Sequence, residues 1–178
     1  MGACCAKPKE VKAVLIGLDG AGKTSVLDAF KTGQPCKPDT KPTIGFNFDT
    51  VQHKNVLLSL WDTGGEEKIR DLWKHYYEDV DGIIFVVDAA NSARLAEAKE
   101  ALHVACRDMH LKDAFVCVVV NKSDLGEKAQ PDDEVSKLLE LSKLPGSKTR
   151  AMKLVRTSAA KGEGIGDLKD FLAIQVKK

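Results

Sequence analysis

The sequence predicts an α/β fold: a mostly parallel, six-stranded sheet with helices on both faces. Three observations carry this. Short apolar runs alternate with helical patterns along the chain. Two of the runs, Gly82–Asp88 and 114–121, are almost wholly apolar, as strands covered on both faces are. The conspicuous polar stretches, at Gly17 and at Asn121, follow directly on strand-like runs, where open α/β sheets bind ligands.

Each element has its own signal. Residues 11–17 read as the first strand. Lys23–Thr32 reads as a helix, with Gly33 placed to end it. Residues 46–52 alternate Phe46, Phe48 and Thr50, as a half-buried strand does. His53-Lys54-Asn55 turns that strand back into 56–62, which makes one antiparallel edge hairpin. Gly82–Asp88 is the fourth strand and 114–121 the fifth. Between them Leu95, Ala98, Leu102, Ala105 or Cys106, and Met109 recur at helical spacing. Val135, Leu138 and Leu139 give residues 132–144 the same character. Residues 152–157 form the last strand, and Ile165, Leu168, Leu172 and Val176 mark the last helix.

Bulk properties narrow the function. A chain of 178 residues suits one domain with its own core, here residues 11–178 behind a flexible tail of residues 1–10. The net charge of +1 gives no global pull toward nucleic acid. Five cysteines, an odd number without a spacing pattern, point to free thiols in a reducing, cytoplasmic setting. Cys106 and Cys117 fall in apolar segments and read as core. No apolar run is long enough to cross a bilayer, and no secretory signal opens the chain. The four histidines show no metal-ligand spacing.

The stretch "GLDGAGKTS", residues 17–25, fits the P-loop pattern between a strand and a helix. Its glycines let the backbone amides of Asp19, Gly20, Ala21, Gly22 and Ser25 fold around phosphate oxygens. The helix start adds unpaired N–H groups and a positive dipole end. Lys23 would neutralise β- and γ-phosphates, and the Thr24 hydroxyl would bind Mg²⁺. A Gly-rich turn with a surface lysine is the bland alternative, weakened by the strand before and the helix after. Asp62, at the end of the third strand, is suited to hold Mg²⁺ directly or through water. Gly65 can offer its amide to a γ-phosphate.

At the other end stands Asn121-Lys122-Ser123-Asp124. Guanine presents two adjacent N–H donors, and an ionised Asp124 accepts both. Adenine offers no such pair, so a site of this kind rejects it strongly. Asn121 either bonds the acceptor edge of the base or ties loops together, and the Lys122 stem can lie over the base plane. Thr157-Ser158-Ala159 follows the final strand, and a backbone amide near Ala159 would donate to the guanine oxygen.

With "PTIGFNFDTV", "LSLWDTGGEEKIRDLWKHYY", "GIIFVVDAAN", "NKSDL" and "TSAAKGEG", these motifs run from residue 17 to 164. The chain resembles the Ras-like small GTPases, and within them the ADP-ribosylation factor-like branch. That resemblance implies the three-layer P-loop NTPase fold and a guanine-nucleotide switch, a slow GTPase that binds GTP or GDP with Mg²⁺. It implies that Thr43 binds Mg²⁺ and senses the γ-phosphate, and that Gly65 does the latter in the second switch loop. It also implies that Phe46, Trp61 and Tyr76 form an aromatic face for effector proteins. An exchange factor and a GTPase-activating protein are the further expected partners, and the switch itself is expected to be a monomer.

Two departures stand out. The family usually carries glutamine where this chain has Glu66. Glutamine both accepts from the attacking water and donates toward the phosphate; an ionised glutamate only accepts. Slowed hydrolysis is the expectation, and Glu66 acting as a true base is the competing one; Lys23 and Gly65 complete the expected catalytic set. At the N-terminus, "MGACCAKPKE" has no apolar helical face for inserting into a membrane. Myristoylation of Gly2 and palmitoylation of Cys4 and Cys5 would supply a different anchor, although Ala6 departs from the preferred Ser or Thr. Two or more acyl chains hold a protein stably on a cytosolic membrane face.

Three classes compete. A GTP-binding switch leads. A GTP-loaded scaffold with negligible turnover is second. A P-loop ATPase or nucleotide kinase is third, because it leaves Asn121 and Asp124 without a purpose.

Overall fold

The computed structural model describes residues 9–37 and 43–176. The proposed acylation sites Gly2, Cys4 and Cys5 lie outside the described residues. Six strands run in the spatial order β2-β3-β1-β4-β5-β6: β1 Lys9–Ile16, β2 Phe46–His53, β3 Val56–Thr63, β4 Gly82–Asp88, β5 Phe115–Asn121 and β6 Met152–Arg156. The β2–β3 pair is antiparallel and every other pair is parallel, so the edge hairpin and the parallel body are both as expected.

Alternation builds the layers. In β1, Val14 and Ile16 enter one core and Val11, Ala13 and Leu15 the other. In β4, Ile83, Phe85 and Val87 divide from Ile84 and Val86 in the same way. The first core is roofed by α3 (Leu95–Cys106) and α4 (Asp132–Leu138). The second is roofed by α1 (Lys23–Thr32) and α5 (Ile165–Ala173). A short helix, α2 (Glu67–Arg70), precedes a 3₁₀ turn at Trp73–Tyr76. Cys106 and Cys117 are buried free thiols, and burial pushes them up to about 11 and about 12, far from reactivity.

Boundaries differ from expectation by more than one residue in four places. β1 begins at Lys9, so Lys9 and Glu10 belong to the sheet; the Ser59 hydroxyl donates to Glu10 at 2.6 Å. α3 stops at Cys106, and Met109 is 81% exposed, because Asp108 caps a separate 3₁₀ turn and Leu111 takes the buried position. α4 stops at Leu138, since Glu140 adopts a left-handed conformation at φ 50°. α5 ends at Ala173, with Val176 still packed against its core beyond the helix.

All the parallel strands point their carboxyl ends at one rim. There lie the loops after β1, β3, β5 and β6, and they build the site.

Candidate nucleotide site

A cleft of about 590 Å³ opens on this rim. Of the fourteen residues the sequence suggested for nucleotide contact, twelve line it; Ala21 and Ser158 stand behind it. Glu66 lines it as well. Cys36, Lys37, Leu125 and Ala160 also line it, and nothing in their local sequence marks them.

The phosphate end is a folded loop closed by a lysine. Gly22 has φ 90°, and a Cβ there would strike the Asn121 side chain, so glycine is required twice over. Lys23 is only 6% exposed, and its Nζ donates to the carbonyls of Gly17 at 2.9 Å and Leu18 at 3.0 Å. Burial lowers its ammonium to about 8, with Asp62 opposing the shift. Gly65 sits directly across: a Cβ on it would collide with Lys23 Nζ, the Asp19 amide and the Gly17 carbonyl.

Three oxygen-bearing side chains converge next to the lysine. Thr24 Oγ1 donates to Asp62 Oδ2 at 2.7 Å, and the Thr24 and Thr43 hydroxyls share a hydrogen bond of 2.8 Å. Thr43 Oγ1 also reaches Asp62 Oδ2, at 3.3 Å. Asp62 is fully buried, and among the described residues its Oδ1 has no hydrogen-bond partner. Burial raises its pKa, with the Thr24 hydrogen bond opposing. An orphaned carboxylate oxygen beside two hydroxyls fits a hard cation such as Mg²⁺. Among the described residues no group of three or more His, Cys, Asp or Glu gathers to hold a metal. A cation here therefore needs phosphate and water oxygens as well, which is how Mg²⁺ is usually held beside nucleotides.

Asn121 ties loops together. Its Nδ2 donates to the Ala21 carbonyl at 3.0 Å, and its Oδ1 accepts from Thr157 Oγ1 and from the Ala159 amide, both at 3.1 Å. The Ala159 amide thus also bonds within the protein, and Ala159 and Ala160 both line the cleft. Ser158 Oγ donates to Asp124 Oδ1 at 2.6 Å and so aims that carboxylate. Lys122 Nζ is held by Asp88 at 2.7 Å, which stretches its stem along the cleft wall.

Outside the cleft, Phe46 is 51% exposed and packs on Tyr76 with ring centroids 5.2 Å apart. Trp61 packs on Phe48, 4.8 Å away in the paired strand. Phe48 is 49% exposed and belongs to the same aromatic face, although the sequence reading did not single it out.

A model of the ADP-ribosylation factor family matches residues 1–176. The chain belongs to that family. Among curated relatives, ADP-ribosylation factor-like protein 1 of Saccharomyces cerevisiae is 42% identical over 170 residues, covering 96% of this chain and 90% of the yeast protein. Among solved structures, the Arl6 BBS3 small GTPase of Trypanosoma brucei, with the bound nucleotide analogue GppNp, superposes with a TM-score of 0.83 at 25% identity. The match covers 94% of this chain and 99% of that one. As an ADP-ribosylation factor family GTPase, the protein is a GTP-binding switch, and family membership implies guanine nucleotide, Mg²⁺, regulators and effectors. Among the described residues of this family member, no helix is long and apolar enough to cross a membrane.

Proposed function

We propose that this chain switches between GTP- and GDP-bound surfaces through Thr43 and Gly65, and that Glu66 makes its hydrolysis slow. The observation that carries the reading is the convergence of Thr24, Thr43 and Asp62 beside Lys23, with Gly65 closing the other side. Lys23 grips the β- and γ-phosphates, with P-loop amides around them. Thr24 and Thr43 would hold Mg²⁺ directly, and Asp62 would hold it through water. The bound cation supplies charge neutralisation on the phosphate oxygens. The GppNp bound to the Trypanosoma brucei relative supports a nucleoside triphosphate as the ligand.

Asp124, aimed by Ser158, accepts the two N–H donors of guanine, while the Lys122 stem covers the base. Glu66 is exposed at the cleft rim. As a carboxylate it accepts a hydrogen bond from water but cannot donate to the transferred phosphate. Loss of the γ-phosphate frees Thr43 and Gly65, and both loops relax. The face of Phe46, Trp61 and Tyr76, with Phe48, carries the output to effector proteins. Acylation of Gly2, Cys4 and Cys5 puts the switch on a membrane, and intact mass from cells tests it: an unmodified mass removes the anchor.

The deciding experiment measures displacement of bound fluorescent GDP by GTP, GDP and ATP in Mg²⁺. GTP and GDP compete and ATP does not. Competition by ATP at equal concentration overturns the reading. Turnover with and without an activating protein then separates a slow GTPase from a scaffold that does not hydrolyse.

A further inference from the structure

Two peptide groups of the second switch loop are held from outside the cleft by side chains that come later in the chain. The Trp73 indole Nε1–H donates to the Gly64 carbonyl at 2.8 Å, and Trp73 is buried at 4% exposure. A trans peptide aims its C=O and the following N–H in opposite directions, and the described residues contain no cis peptide. The bond from Trp73 therefore turns the Gly65 N–H away from the core. Among the described residues, that N–H donates to no protein group.

The next peptide is held too. The Gly65 carbonyl accepts from the Asp19 amide at 3.1 Å and from Arg70 Nε at 2.9 Å. Arg70 cannot swing freely: its Nη2 donates to Glu97 on α3 at 2.7 Å. Arg94 donates to the same Glu97 through Nε at 2.8 Å and to Asp19 through Nη2 at 2.8 Å. The hydrogen bond from Arg94 is the main cause that holds the Glu97 and Asp19 carboxyls below their usual range. Neither Trp73 nor Arg70 lines the cleft.

We propose that Trp73 and Arg70 are positioning residues that preset the Gly65 N–H for the terminal phosphate, and so set the preference of the switch for GTP over GDP. This rests on the reading that Gly65 meets the γ-phosphate. The reason is physical. Consecutive glycines have no steric bias of their own. A donor aimed in advance needs no reorganisation when the charge arrives.

The test compares affinities for GppNp and GDP, both with Mg²⁺, in wild type, Trp73→Phe and Arg70→Met, together with the NMR resonance of the Gly65 amide in the two wild-type complexes. Trp73→Phe keeps an aromatic ring and removes the donor. Its GppNp-to-GDP preference falls about fivefold to tenfold, the worth of one aimed hydrogen bond, while GDP affinity stays within about twofold of wild type. Arg70→Met shifts the same ratio in the same direction by about twofold to fivefold, and it keeps the test alive if Trp73→Phe does not fold. Equal losses for both nucleotides make these packing residues only and overturn the proposal. If the Gly65 amide resonance differs between the GDP and GppNp complexes while both variants keep the wild-type preference, positioning is overturned and the Gly65 reading stands. If that resonance is the same in both complexes, the underlying reading fails and takes the proposal with it.

Discussion

Nucleotide binding by this protein should take up a proton at alkaline pH. Burial holds the Lys23 ammonium down to about 8 in the protein without nucleotide. A polyphosphate beside it raises that value again, because opposite charge favours the charged form. Below pH 8 the ammonium is already present and binding finds it ready. Above pH 8 a proton must be supplied, so affinity falls as pH rises. With a free-state value near 8, about three-quarters of Lys23 is neutral at pH 8.5 and about a tenth at pH 7. Affinity for GDP should then drop about fourfold between these two pH values, with uptake of about 0.75 proton per nucleotide at the higher one. Calorimetric titration of nucleotide-stripped protein with GDP and Mg²⁺, in two buffers of different ionisation enthalpy, reads the proton count directly. Lys23→Gln should bind more weakly and show no such uptake. Uptake near zero at both pH values in wild type would mean that the lysine keeps its charge in the stripped protein, and that burial does not govern it.

Three further outcomes follow from named contacts. Glu66→Gln should hydrolyse bound GTP faster in a single-turnover assay; equal rates would remove Glu66 from the chemistry. Asp62→Asn should largely abolish the acceleration of GDP release by a Mg²⁺ chelator, while melting no lower than wild type when stripped, since burial already disfavours the Asp62 charge. Asn121→Ala removes three buried hydrogen bonds. It should lower stability by about 3 kcal/mol, taking about 1 kcal/mol per bond. It should also weaken GDP and GppNp together, which melting curves and the same competition assay would check.

Much of this molecule is legible in its sequence because its signals are local. Short apolar runs, one of them alternating with period two, marked the six strands, and the glycine-lysine-threonine order marked the phosphate loop without any tertiary information. Helix ends were less legible. Leu141 and Leu144 keep an apolar pattern running past Leu138, and only the left-handed turn at Glu140 breaks the helix. Contacts between distant residues were not legible at all. Nothing in the local sequence singles out Trp73, Arg70, Arg94 or Glu97. Their roles depend on partners up to 75 positions away. The contact of the Ala159 amide with the side chain of Asn121 was hidden for the same reason.

That side chain has a mechanical consequence. A single carboxamide rivets the P-loop to the turn that follows β6, two segments more than a hundred positions apart in the chain. Strain at either end of the cleft is therefore shared by the other. A protein that prises the glycine-rich loop open would slacken the purine pocket without ever reaching it, and the nucleotide would leave in one concerted step.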